Sequence, residues 1–143
     1  MKPQSVIIKL MKLKFIIICD NAFTDTAGGL YIIQTFDVIK TPGFPAIHPK
    51  MSIVTKWEFE QKDDKESVHK QKLIITEEKT GNEIAKTPEK ELISKRGKTK
   101  SLQYISNFRG LKFDKEETYK IQVYMDGEKA KEEESFEVKL EGN

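Results

Sequence analysis

One cysteine and two histidines, Cys19, His48 and His69, are the side chains best suited to act here as nucleophile, base or metal ligand. A cysteine nucleophile needs an exposed thiolate with a base beside it. Cys19 instead closes the run Phe15-Ile16-Ile17-Ile18 and reads as a small buried hydrophobe. Two imidazoles and one interior thiol fall short of a four-ligand zinc site unless distant carboxylates are recruited. Asp20, Asn21, Asp25 and Asp37 are the most oxygen-rich group. Their spacing departs from a calcium loop, and Asp or Asn beside a strand end ordinarily bonds its own backbone. Gly97-Lys98-Thr99 ends like a phosphate-binding loop, but the glycine that motif requires five residues upstream is Leu92, so the amide cradle is lost. No Gly-x-Ser-x-Gly turn presents a serine. No catalytic, cofactor-binding or metal-ligating residue is therefore assigned, no cofactor is expected, and the chain is expected not to be an enzyme.

Composition narrows the partners. The 143 residues carry 25 Lys and Arg against 23 Asp and Glu, a net charge of +2. A mixed surface of that kind offers no strong field for steering DNA, so nucleic acid is expected to be excluded, and Lys95, Arg96, Lys98 and Lys100 read as a solvated basic loop. A lone cysteine rules out an internal disulfide framework and suits a cytoplasmic location. Lys9, Lys12 and Lys14 interrupt every apolar run near the N-terminus, and Phe15 to Cys19 is far short of the ~20 residues that span a bilayer, so no membrane role is expected. Met11 is a second candidate start. Residues 1–11 are accordingly read as an extension and residues 12–143 as one domain, long enough to bury a core of its own.

Strands must position whatever site exists, because a period of two recurs along the chain. Leu13, Phe15, Ile17 and Cys19 share one face of a first strand that becomes apolar on both sides and ends at Asp20-Asn21. Leu30 to Ile39 reads as a second strand with a bulge at Gln34. Pro42, Pro45 and Pro49 each remove a ladder donor, so Thr41 to Pro49 reads as a connection, with Phe44-Pro45 a candidate for the cis form. Met51, Ile53, Thr55, Trp57 and Phe59 then face a core while Lys50, Ser52, Lys56 and Glu58 face water. Strands follow at Val68 to Thr76 and Glu83 to Ala85; Leu102, Tyr104 and Ile105 open the next, and Phe108, Leu111 and Phe113 lead into a final pair, Tyr119 to Met125 and Phe136 to Leu140. Thr87 to Gly97 reads as an irregular edge strand or a single helical turn. For the last pair a long loop is preferred over a tight Asp126-Gly127 hairpin, since it sets Met125 beside Phe136 and Val123 beside Val138. About eight short strands make an all-β antiparallel sandwich the expected fold, with an up-and-down barrel as the alternative.

The runs Phe15-Ile16-Ile17-Ile18-Cys19-Asp20-Asn21-Ala22-Phe23 and Phe44-Pro45-Ala46-Ile47-His48-Pro49, with the ending Gly110-Leu111-Lys112-Phe113 and Asp126-Gly127-Glu128, resemble an uncharacterised family of short bacterial proteins. The resemblance implies an immunoglobulin-like sandwich and no transferable catalytic residues. The expected function is a non-catalytic interaction module. Its partner, expected to be a protein, would meet Phe23, Phe44 and Ile47, apolar residues in connections that face water with little reason to be apolar. An enzyme assembled from scattered carboxylates and His48, or an envelope-associated module, are the alternatives.

Overall fold

The computed structural model describes residues 11–59, 66–95 and 100–142, and within them the chain is all-β. Ten strands are described, against the eight or so expected: β1 (Met11–Thr24), β2 (Leu30–Thr35), β3 (Val38–Thr41), β4 (Ala46–Phe59), β5 (Ser67–Glu77), β6 (Glu83–Lys86), β7 (Lys90–Ser94), β8 (Ser101–Phe113), β9 (Glu117–Met125) and β10 (Glu128–Leu140). They form two sheets. Sheet A runs β2-β1-β4-β8; sheet B runs β3-β10-β9-β5-β6, with β7 also on β5. The barrel alternative is thereby removed. The expectation of a wholly antiparallel fold is corrected as well, because β3 lies parallel to β10 from Glu137↔Val38 to Leu140↔Thr41.

That parallel pair arises because the expected strand Leu30 to Ile39 is two strands on different sheets. Gln34 adopts a positive φ of 54°, and Phe36 and Asp37 then carry the chain from sheet A to sheet B. The crossing is tied at both ends, Phe36 N–H donating to Ile18 O and Glu137 N–H to Asp37 O. β1 also runs past Asp20-Asn21 to Thr24, where it pairs with β2. Phe44-Pro45 is cis. The connection is shorter than expected, for β4 begins at Ala46 and Ala46 to His48 already pair with β8.

Two local devices decide which side chains face inward. The β1–β4 register shifts between Leu13 and Phe15, leaving Lys14 as an extra residue. A one-residue slip moves every later side chain to the other face. Met11 and Leu13 therefore join the main core with Ile16 and Ile18, while Phe15, Ile17 and Cys19 belong to a second cluster with Val54 and Ile105. The second device lies between the pairs His48↔Leu111 and Lys50↔Arg109, where Pro49 meets Gly110. Proline has no N–H for the ladder, and Gly110 takes a φ of 64° that other residues adopt at a cost. Inward positions on β8 change there from Ser106 and Phe108 to Leu111 and Phe113.

The final hairpin corrects the preferred loop. Glu128 pairs with Met125 across Asp126-Gly127, whose φ values of 54° and 82° give the tight turn that matches strand twist. Between Lys129↔Tyr124 and Glu133↔Gln122, four steps of β10 span two of β9. An even excess preserves the alternation, so Ala130, Phe136 and Val138 all stay buried. Phe136 thus comes opposite Tyr119, with ring centroids 5.4 Å apart. Phe113 of sheet A closes an aromatic trio at 4.9 Å from Tyr119 and 5.9 Å from Phe136. Burial there pushes the Tyr119 phenol up to about 12.

At the other end of the sandwich the sheets are joined by a polar tie. Gln71 of β5 is 1% exposed, and its Oε1 accepts hydrogen bonds from Thr55 Oγ1 at 3.0 Å and Trp57 Nε1 at 2.8 Å, both on β4. Gln71→Leu keeps the volume but strands two buried donors, and is expected to lower the unfolding free energy by about 1–3 kcal/mol. Trp57→Ala also empties ring volume and should cost about 3–5 kcal/mol. Urea denaturation measures both; a Gln71→Leu loss below about 0.5 kcal/mol, within the range of surface changes, would show that the tie contributes nothing.

Candidate functional site

The Lys14 bulge determines which residues of β1 stand on the outward face of sheet A. Register sets Lys50 beside Arg109, then Cys19, Ser52 and Asn107 in one row, Ile17, Val54 and Ile105 in the next, and Phe15, Lys56 and Gln103 in a third; Asn21 is joined to Lys50 by a side-chain hydrogen bond. Lys50 Nζ donates to Asn21 Oδ1, and Ser52 Oγ donates to Asn107 Oδ1 at 2.6 Å. Amides, hydroxyls and three cations therefore share a face with an apolar stripe. Glu58 lies at its far rim and pairs with Lys14 at 3.2 Å. Sheet B is armoured differently: Lys120 and Lys129 converge on Glu133, whose carboxyl they and Gln122 hold below the usual range, and Lys139 meets Glu137.

The residues expected to touch a partner are dispersed. Phe23, one residue before the end of β1, is 45% exposed and stacks on Tyr31 of β2, centroids 5.0 Å apart and planes within 10°. Ile47 is 68% exposed on β4, and Phe44 packs against the main core. Tyr31 was not anticipated as Phe23's companion; only the β1–β2 register brings it there. The rings are braced by Asp25. Its Oδ2 accepts from Tyr31 Oη at 3.0 Å, and its Oδ1 accepts from the N–H groups of Ala27 and Gly29. The Gly29 bond leads the causes that lower the Asp25 carboxyl. Cys19 is buried, and that burial raises its thiol, as suits an inert side chain.

A second constellation escaped the sequence reading. Ser67 Oγ lies 3.0 Å from His69 Nε2, and His69 Nδ1 lies 2.9 Å from Asp126 Oδ2. Ser94 Oγ meets Ser67 Oγ at 2.6 Å, and Asp126 Oδ1 accepts from Lys70 N–H. Ser67 and His69, two apart on β5, necessarily share a face; Asp126 arrives from the distant hairpin, which no local signal could reveal. The order serine, imidazole, carboxylate is that of an activated nucleophile. In this fold it also clamps β5, β7 and the β9–β10 turn together. Residues 96–99 of the basic loop lie outside the described residues, as do residues 1–10. Among the described residues no group of three His, Cys, Asp or Glu side chains is placed to hold a metal ion, and no helix is long and apolar enough to cross a membrane.

These features define an all-β domain of two sheets with one amide- and cation-bearing face. Residues 14–139 match a family of unknown function (DUF6941), and the chain belongs to that family. No curated protein matches it. Among solved structures it is similar to the Pseudomonas fluorescens alkylpurine DNA glycosylase AlkC bound to DNA containing an abasic site analog. The TM-score is 0.53 at 13% identity, covering 91% of this chain and 30% of that chain. The chain thus corresponds to under a third of that protein, and the likeness is one of fold. The expected partner profile, a protein and no nucleic acid, is corrected by it: a fold shared with a chain solved on DNA gives no ground for that exclusion. The physical error lay in summing charge over the whole chain, when contact depends on charge by face.

His48 supplies a measurable consequence of this packing. It lies 5.7 Å from the Phe36 ring, and its buried Nε2 has no hydrogen-bond partner among the described residues. Desolvation lowers its pKa from 6.5, with Asp20 and the Lys50 backbone opposing. The unfolded chain then takes up a proton before the folded one, so stability should fall as pH drops below about 6.5 and level off once the folded imidazole is protonated too. Thermal melts of native protein and His48→Gln across pH 4 to 8, values of the order where histidine titrates, should show a shallower acid slope in the variant; identical slopes would remove His48 as the cause.

Proposed function

We propose that this chain is a non-catalytic binding module of the cytoplasm, an immunoglobulin-like sandwich whose outward sheet A face receives nucleic acid. Strand order supports the fold reading: β1-β4-β8 and β5-β9-β10 follow the A-B-E and C-F-G neighbours of that architecture. The observation that carries the ligand is Lys50, Lys56 and Arg109 on one continuous face beside Asn21, Gln103 and Asn107. Cations there meet phosphates, and amides suit sugar and base edges. The DNA-bound state of the structurally similar glycosylase supports the same choice of ligand.

Three phosphate contacts imply a salt slope of about −2.1 to −2.7, so affinity should fall about 20- to 40-fold between about 50 and 200 mM salt. Fluorescence anisotropy with a labelled oligonucleotide measures it. Reversing Lys50 and Arg109 to Glu together should weaken binding at least about tenfold, flatten the slope and leave the melting curve in place. Salt-independent binding, or a reversed variant that binds like the parent, would refute the reading.

The spacing of Ser67, His69 and Asp126 favours a second reading, a serine nucleophile acting on esters. Attack by Ser67 Oγ on the carbonyl carbon would pass its proton to His69, which returns it to the departing alcohol; water then releases the acid. A fluorophosphonate probe decides this. Labelling of Ser67 that is lost in His69→Ala supports it, and an unlabelled native protein removes it.

A further inference from the structure

We infer that the chain associates with a second copy of itself, β2 pairing antiparallel with the other copy's β2 about a two-fold axis at Ile32. Sheet A ends on β2, and the bonding of the β1–β2 hairpin decides what that edge offers. Asp25 N–H donates to Gly29 O, so counting back along the register makes Phe23↔Tyr31 and Asn21↔Ile33 the hydrogen-bonded pairs. Leu30 and Ile32 therefore turn their N–H and C=O groups away from β1, to a side where the described residues supply no backbone partner. A row of that kind is a template for another strand.

Edge strands are ordinarily guarded by charge, and β2, Leu30-Tyr31-Ile32-Ile33-Gln34-Thr35, has none. The other described edges all carry it: Lys40 on β3, Glu83 on β6, Lys90 on β7 and Arg109 on β8. Both faces of β2 are apolar. Leu30 and Ile32 pack beside Ala22, while Tyr31 and Ile33, each 48% exposed, stand on the opposite face with Phe23. A second copy matches this pattern. Pairing about Ile32 sets Tyr31 beside Ile33 of the other copy, and Ile33 beside its Tyr31, with no charge set against another. Phe23 and Asp25 already hold the Tyr31 ring, so little side-chain freedom is lost on contact. Gln34 leaves the extended conformation at a φ of 54°, which keeps the contact short and the dimer reversible. The axis stands perpendicular to the sheet, so two four-stranded sheets become continuous and their outward faces turn the same way. Head-to-tail pairing of β2 with the next copy's β8 would instead build an open chain. None of this depends on what the outward face binds.

Sedimentation velocity of the full chain from about 1 to 300 µM, the range suited to a small contact, should show a reversible equilibrium of monomer and dimer. Ile33→Glu sets a carboxylate beside Tyr31 of the other copy and should raise the dimer Kd at least about tenfold, with the melting curve of dilute protein unchanged. Adding Tyr31→Lys places opposite charges across the contact and should recover part of that affinity. Oxidation reads the register. Ile32→Cys lies opposite itself, at ~5.5 Å between Cα atoms, and should form a disulfide-linked dimer; Leu30→Cys, opposite Gln34, should not. A monomer at every concentration, species that keep growing beyond the dimer, or a dimer indifferent to Ile33→Glu would overturn the inference. So would a double variant no better than Ile33→Glu, or linkage through Leu30→Cys as ready as through Ile32→Cys.

Discussion

A single amide oxygen holds the two sheets in register. Hydrophobic burial drives them together but is non-directional, and a sandwich of Ile, Val and Leu tolerates sliding more readily than a hydrogen bond does. Gln71 Oε1 accepts from Thr55 and Trp57 at once, so β5 cannot shift along β4 without stranding two buried donors. Trp57, 1% exposed, is positioned by that bond as well as by its ring contacts. At the opposite end the Phe113, Tyr119 and Phe136 rings interlock by shape. The core is thus pinned by a polar contact at one end and an aromatic one at the other.

Fixing the sheets fixes the rest. Once β4 is held, β1 pairs with it and the Lys14 bulge determines which apolar residues turn outward. Cys19 is buried there with Ala22 and Val54, and Phe15, Ile17, Leu30, Ile32 and Ile105 pack against them. The same register carries Lys50, Lys56 and Arg109 onto that face. An outward sheet surface with its own small cluster keeps polar side chains such as Ser52, 0% exposed, ordered by neighbours instead of by solvent. Preorganisation of that sort lowers the entropic cost of engaging a ligand.

The Ser67, His69 and Asp126 array continues the polar seam begun by Gln71 along the inner face of β5. Buried polar groups demand partners, and here each finds one: Ser67 with Ser94, His69 with Asp126, Asp126 with the Lys70 backbone. The seam explains why β7, with only Leu92 and Ser94 buried, stays on the edge of β5.

Alternation by itself determined the all-β class, the core face of β4 from Met51 to Trp57 and the burial of Cys19, because a period of two is local and survives without knowledge of neighbours. It also placed Lys50 and Lys56 off the core face, but Ser52, expected to meet water, is 0% exposed because neighbours on that face cover it. The outward place of Phe15, Ile17 and Cys19 was decided by tertiary structure, since the bulge at Lys14 exists only in the pairing with β4 and leaves no trace in residue type. The split of Leu30 to Ile39 between sheets, the parallel β3–β10 pair and the two extra residues in β10 are likewise properties of pairing. So are the site's groupings: Phe23 with Tyr31, Lys50 with Arg109, His69 with Asp126 57 residues away. A strand's sequence specifies its two faces, and only its partners specify which of them meets water and what stands beside it.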